Sequence, residues 1–248
     1  MSERTGKQMP RFFTDQINDE FALITGEDAR HIGRSLRMAV GEELILCDGA
    51  GSDYRCRIAS IDRESVRCDV LSRAPSAGEP ACFVTLYQAL PKSDKLDLIV
   101  QKAVELGVGR IVPILTRRCV SRPDEKGMRA KQARAQRIAL EAAKQSGRGR
   151  VPEVAPLLSF PDAVQEASLD PLALFFYEGG GTPLRELLFP GAGRVSLFVG
   201  SEGGFDPEEV RLAEEMGLRT ATLGPRILRC ETAPLCALSV IMYATGNL

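Results

Sequence analysis

Five apolar runs constrain this chain most strongly. Phe83–Leu90, Arg110–Leu115, Leu172–Tyr177, Val195–Val199 and Arg219–Leu223 are close to continuous rather than alternating, and segments of helical period separate them. A strand that is apolar on both faces must be covered on both faces, so this rhythm predicts an α/β domain built on a parallel sheet. Leu96, Ile99, Val100 and Ala103 recur at i, i+3, i+4 and i+7, the stripe of a helix that Ser93 is expected to cap and Gly107 to end. Ala130–Gln145 reads as a long basic helix stopped at Ser146-Gly147. Asp206 as N-cap, Pro207 in the first turn and Glu209 closing a capping box open a helix that Gly217 ends. Thr232–Thr245 reads as a final apolar helix.

The rhythm before residue 73 is different. Phe21–Ile24, Glu43–Cys47, Tyr54–Ile61 and Ser65–Leu71 are short, and Tyr54, Cys56 and Ile58 alternate with Arg55 and Arg57, the pattern of a strand with one wet face. Asp48-Gly49 and Ala50-Gly51 mark a turn between two strands. A single helix is expected at Ala29–Met38, entered through a capping box at Thr25-Gly26-Glu27-Asp28. These elements predict a small β-barrel. Arg73–Pro80, rich in Pro, Gly and Ser, reads as a linker, so two domains are expected, 1–73 and 80–248.

Composition narrows the function classes. There is one histidine, His31, and none of the seven cysteines is spaced as C-x-x-C, so a structural zinc site is not expected, and no metal is assigned. Scattered, odd-numbered thiols fit a reducing, cytoplasmic setting. No run of about 18 apolar residues suggests a membrane span, and the opening MSERTGKQMPRFF lacks the apolar core of a secretory signal. The P-loop, the H-E-x-x-H zinc motif, the G-x-S-x-G elbow and the G-x-G-x-x-G fingerprint are absent. Net charge is −1, yet residues 116–150 hold 11 Lys and Arg against 3 Asp and Glu. That excess suggests either an anion or nucleic-acid footprint or a solvated helix face.

Two loops carry the remaining chemistry. Leu197–Val199 runs into Gly200-Ser201-Glu202-Gly203-Gly204, and Leu223-Gly224-Pro225-Arg226-Ile227-Leu228-Arg229-Cys230-Glu231-Thr232-Ala233 follows the last strand. Ligands of open α/β sheets bind beyond the carboxyl ends of the strands. Glycine there permits close backbone approach, although a tight strand-to-helix turn would use the same residues.

Together these loops resemble those of the bacterial 16S ribosomal RNA uridine-N3 methyltransferases of the SPOUT superfamily. The similarity extends to Met9–Phe13, His31–Arg37, Lys95–Val108 and Glu141–Arg148, nearly the whole chain, with Ser201 standing where the family usually has proline. The resemblance implies a PUA-like β-barrel that binds RNA, followed by an α/β domain with a deep trefoil knot, acting as a homodimer on 16S rRNA in the small ribosomal subunit. It implies S-adenosyl-L-methionine as cofactor, held by Gly200, Ser201, Glu202, Gly203, Leu223, Gly224, Ile227, Leu228 and Thr232, with the strand end Phe176-Tyr177-Glu178 as a weaker candidate. For the reaction, Arg229 is assigned to electrostatic stabilisation, Glu231 to proton acceptance or orientation, and Arg11, the third choice, to reaching the RNA or the active site from the barrel. Arg34, Arg37, Arg117, Arg118, Arg122 and Arg134, with Lys131 and Arg137, are the expected phosphate contacts. Two other readings stand beside this one: methylation of another RNA atom, such as a ribose 2′-hydroxyl, and a non-catalytic RNA-binding assembly factor.

Overall fold

The computed structural model describes residues 9–189 and 191–248. The first eight residues, part of the opening read above for a signal, lie outside it. The chain forms two compact units, Met1–Glu79 with Ala143–Val151, and Pro80–Ala142 with Pro152–Leu248.

The first unit holds β1 (Arg11–Phe13), β2 (Phe21–Thr25), α1 (Gly26–Arg30), β3 (Glu43–Cys47), β4 (Ser52–Ile61) and β5 (Ser65–Pro75), in the sheet order β1-β3-β4-β5-β2. Only the β1–β3 pair is parallel; the other three pairs are antiparallel. The period-two reading of β4 holds. Tyr54, Cys56 and Ile58 turn inward to a cluster that includes Phe12, Ile24, Ile32, Leu44 and Leu46. Outward, Arg55 and Arg57 share the Glu43 carboxylate of the neighbouring strand. The Asp48 carboxylate shapes the β3–β4 turn by accepting from the N–H groups of Ala50 and Ser52 at 2.8 and 3.0 Å.

Two local expectations fail here. The helix starts at Gly26 rather than Ala29 and passes into a π turn at His31–Ser35. Thr25 is its N-cap but makes no side-chain cap bond, because Gly26 at φ 68 diverts the chain at the point where a capping box needs helical geometry. Arg37, at φ 52, lies just past the π turn, where the helix had been expected to run on to Met38. The linker is also tied down. Arg73–Pro75 complete β5, and the Glu79 carboxylate accepts from the Arg148 guanidinium at 2.8 Å and from the N–H groups of Gly149 and Arg150 at 2.9 and 3.0 Å. Arg148 is buried, so this pair is one whose partners cannot be separated cheaply.

The second unit contains β6 (Phe83–Ala89), α2 (Lys95–Glu105), β7 (Arg110–Leu115), most of α3 (Glu125–Ser146), β8 (Glu153–Val154), β9 (Leu158–Ser159), α4 (Phe160–Ala167), β10 (Ala173–Phe176), β11 (Thr182–Pro183), α5 (Leu184–Leu187), β12 (Arg194–Val199), α6 (Pro207–Glu215), β13 (Arg219–Thr222) and α7 (Ala233–Ala244). Its sheet runs β11-β13-β10-β12-β6-β7-β8, with β9 also on β7, and every pair is parallel. α2 packs with α7, and α4 with α6. Aromatic residues, only 6% of the chain, gather in this core. Tyr87 and Phe198 stack at 4.4 Å between ring centres, and Phe175 meets Phe205 at 4.2 Å.

The five apolar runs are β6, β7, β10, β12 and β13. The three two-residue strands carry no periodic signal and were not expected. Ser93 does not cap α2: it sits at φ 55, Asp94 takes the N-cap place, and no side-chain cap bond forms. α3 begins earlier than expected, where the Asp124 carboxylate accepts from the Gly127 N–H at 2.8 Å. The capping box of α6 forms as read, with Asp206 and Glu209 exchanging bonds with each other's backbone.

The sheet order has one unusual consequence. β13, late in the chain, lies between β10 and β11, which are joined by only five residues, 177–181. That connection must span β13. Gly181 makes the crossing possible: a Cβ there would lie 2.7 Å from the Thr220 carbonyl carbon.

Candidate functional site

β13, β10 and β12 are adjacent and parallel, so their carboxyl ends open side by side. The residues that follow them enclose a cavity of about 890 Å³. Gly200, Ser201, Glu202 and Gly203 form one wall, and Leu223, Gly224, Ile227, Leu228 and Arg229 form another. Phe176, Tyr177 and Glu178 contribute from the end of β10, and Lys95 from the start of α2. Thr232 is not on the wall; it is the N-cap of α7, and its N–H donates to the Arg229 carbonyl at 2.8 Å.

The first loop is a tight turn that also faces the cavity. Gly204 donates its N–H to the Ser201 carbonyl at 3.0 Å and adopts φ 65, where a side chain would be strained and would collide with the Glu178 carboxylate. Beneath the loop, the buried Gln88 side-chain amide donates to the Gly200 carbonyl at 3.3 Å. The Ser201 hydroxyl is buried and has no hydrogen-bond partner among the described residues. A buried hydroxyl left unpaired costs roughly 1–3 kcal/mol, and one on a cavity wall is readily satisfied by a polar ligand. In the second loop, Arg226, Ile227 and Leu228 make no backbone hydrogen bond to another described backbone group. Ile227 is 85% exposed, an apolar wall with nothing yet against it. Free amide groups beside apolar walls suit a nucleoside-like ligand.

One cation joins the two loops. Lys95 Nζ lies 3.0 Å from Glu202 Oε1 and 3.1 Å from Glu231 Oε2. Glu202 also accepts from the Lys92 N–H at 3.2 Å, and the Cys230 thiol donates to Glu231 at 3.2 Å. Burial pushes the Glu202 carboxyl up, but the Lys95 ammonium and the surrounding N–H donors outweigh it and hold it below the ordinary carboxylate range. Burial likewise acts against Glu231, and the Cys230 thiol, its own N–H and Lys95 reverse the sign. The Cys230 thiol is pushed up to about 12, by burial first and then by the carboxylates, so it stays protonated. Lys95 is the site residue that sequence reasoning missed. Its signal was a lysine in the first turn of a helix, the end where the helix dipole disfavours a cation.

Arg229 lines the cavity, is exposed, and makes no ion pair among the described residues, since Glu231 is taken by Lys95. Arg11 lies in the first unit, on β1. Its guanidinium forks onto both oxygens of Asp53 at 2.7 Å and donates to Cys47 at 2.8 Å. The basic stretch is compensated more fully than its composition suggests. Arg117 pairs with Glu208, and Arg134 with Asp97 at 2.6 Å. Arg122 donates to the carbonyls of Thr116 and Arg117, while Arg118 donates to the Gly203 carbonyl at 3.3 Å and stands 4.0 Å from Glu178. Arg34 and Arg37 are exposed, and no ion pair is formed by either among the described residues.

Comparison with known proteins follows the same division. An RNA methyltransferase domain model matches residues 78–242, and an RNA methyltransferase PUA domain model matches residues 24–71. The ribosomal RNA small subunit methyltransferase E of Bacillus subtilis is 37% identical, over 96% of this chain and 97% of its own length. Its namesake from Mycobacterium bovis is 33% identical, over 95% of this chain and 92% of its own. A crystal structure of the Neisseria gonorrhoeae ribosomal RNA small subunit methyltransferase E bound to S-adenosyl methionine superposes with a TM-score of 0.85 at 30% identity, covering 96% of this chain and 98% of that one.

Proposed function

The chain belongs to the RNA methyltransferase family, and from that premise we propose that it transfers a methyl group from S-adenosyl-L-methionine to N3 of a specific uridine in 16S rRNA of the small ribosomal subunit. The observation that carries this reading is the cavity at three neighbouring strand tips, with a Ser201 hydroxyl unpaired among the described residues and a stretch, Arg226–Leu228, whose backbone bonds no other described backbone group. Those groups fit an adenosyl ligand. Gly200, Ser201, Glu202 and Gly203 would hold it from one side, and Leu223, Gly224, Ile227 and Leu228 from the other. When bound, the sulfonium cofactor supplies a methyl group already activated for transfer.

The chain's own residues then have to deal with the acceptor. N3 of uracil carries a proton at neutral pH and is a poor nucleophile, so the site must favour its anion, formed by loss of the N3 proton to water. Arg229, unpaired on the cavity wall, is placed in the role of stabilising negative charge on the uracil carbonyl oxygens. Glu231 is held ionised and below its ordinary range, which makes it a weak base, and we assign it to orientation through Lys95 rather than to storage of the proton. Arg11, committed to Asp53, supports the first unit and is left with the weakest claim to a catalytic role.

In this reading the first unit is a PUA-type barrel that binds RNA, and the seat of β13 between β10 and β11 supports a trefoil knot. A homodimer is supported by α7, which is apolar nearly all round and leaves Tyr243 exposed beyond its packed face. Sedimentation at micromolar concentration tests the dimer; a monomer would reject it. Arg34, Arg37, Arg117, Arg118, Arg122 and Arg134 would meet phosphates. The place of action would be the cytoplasm, in keeping with cysteines that are all unpaired. Methyl transfer from labelled cofactor to small-subunit particles lacking their own methylation, with nucleoside digestion and mass spectrometry, tests the whole reading. The label is expected on the uracil base at N3. Label on a ribose, or none, overturns it.

A further inference from the structure

The cavity has a fastener that stands apart from the reacting atoms. Lys95 is half-buried between two carboxylates from separate loops, Glu202 following β12 and Glu231 preceding α7. The approach to it is built at a cost. Ser93, two residues earlier, adopts φ 55, a strained conformation for a residue with a side chain. The same bend aims the Lys92 N–H at Glu202, 3.2 Å from one oxygen and 3.3 Å from the other. A lysine in the first turn of α2 also opposes the helix dipole. Local rules are broken at two adjacent places, and both breaks deliver donors to Glu202. Without the ammonium, two carboxylates would face each other across the gap between the loops and repel.

We propose that Lys95 is a positioning residue that fastens the two cavity loops together through Glu202 and Glu231 and so sets the affinity of the site for its adenosyl ligand. This rests on the reading of the cavity as an adenosyl-cofactor site. Lys95 acts on the shape of the site rather than on the reacting atoms. A fastener affects every ligand that needs both loops in place. A simple electrostatic effect would distinguish the sulfonium cofactor, which is a cation at sulfur, from the thioether product, which is not.

Calorimetry on the full chain with S-adenosylmethionine and, separately, S-adenosylhomocysteine separates the two. Lys95→Met is expected to weaken both ligands equally, by about tenfold, and Lys95→Arg to restore most of the loss. Glu231→Gln, which leaves the Glu202 arm intact, is expected to weaken both by roughly threefold, and it carries the test if Lys95→Met does not fold. Unchanged affinity in Lys95→Met, or tighter binding of S-adenosylmethionine alone, overturns the fastener while leaving the cofactor site standing. A wild-type chain that binds neither ligand overturns the cofactor reading and the fastener with it.

Discussion

Arg229, which makes no ion pair among the described residues, and Lys95, which makes two, both line the cavity, and they differ in how much of this was visible in the sequence. Arg229 stood out in the sequence beside Glu231; in the fold Glu231 turns to Lys95 and Arg229 makes no ion pair among the described residues. Arg229→Ala is therefore expected to lower turnover at saturating RNA by about 10²-fold, the usual worth of a lost charge-stabilising donor, while calorimetric cofactor affinity stays within about twofold. Wild-type turnover in that variant would remove Arg229 from the chemistry. Lys95 was not legible in the same way. Its two partners lie more than 100 residues away in sequence, and no local pattern records a contact of that kind.

The carboxylates around Lys95 also make a pH prediction. Glu202 and Glu231 are held below their ordinary values, so their contribution to stability is complete above the unfolded carboxylate range, about pH 4.3. It is lost as pH falls through the lowered folded values. The difference in Tm between wild type and Glu231→Gln is thus expected to be constant near neutrality and to shrink on acidification. A difference that grows on acidification would show the opposite sign.

At the level of elements, legibility followed the strength of the local signal. α6 was readable to the residue because Asp206, Pro207 and Glu209 each favour the same helix start. In the structure Glu209 also accepts from the Arg117 N–H at 2.8 Å, linking the cap to the β7–α3 loop. Asp206→Ala is expected to cost about 1 kcal/mol, seen as a fall in Tm of about 2–4 °C. No change in Tm would mean the cap is dispensable. α1 and the start of α2 were misread for a common reason. Thr25 and Ser93 are good capping residue types, but Gly26 and Ser93 itself take positive φ, and a cap depends on backbone angles that the residue type alone does not specify. The two-residue strands β8, β9 and β11 exist because a neighbouring strand pairs with them, so no pattern within them announces it.

On the scale of the whole molecule, charge is where counting and folding diverge most. The positive excess of residues 116–150 suggested a broad basic patch. Folding brings Asp28, Glu79, Asp97 and Glu208 to Lys144, Arg148, Arg134 and Arg117, respectively. The exposed pairs Arg134–Asp97 and Arg117–Glu208 are worth little, about 0–1 kcal/mol, so RNA phosphates would be able to displace those acids, whereas the buried Arg148–Glu79 pair is not opened cheaply; each exchange at an exposed pair returns less than a contact made by an unpaired arginine. Arg34→Ala is accordingly expected to weaken RNA binding and to reduce the slope of log K against log salt by about 1, and Arg134→Ala to reduce it by less. Equal slopes in the two variants would show that the internal pairs do not matter.

Two rhythms, alternating before residue 73 and continuous after residue 80, were enough to locate the longer strands and the helices α2, α3, α6 and α7, and to say that the later strands form a parallel sheet, because burial on one or both faces is written into each strand's own residues. The loops at the strand tips were likewise readable from their glycines and charges. The insertion of β13 between β10 and β11, the pairing of Lys95 with both loops, and the partial neutralisation of the basic stretch were decided only by the tertiary structure. Each depends on residues far apart in the chain meeting in space, and the energy of such a meeting belongs to the pair and to no local stretch of sequence.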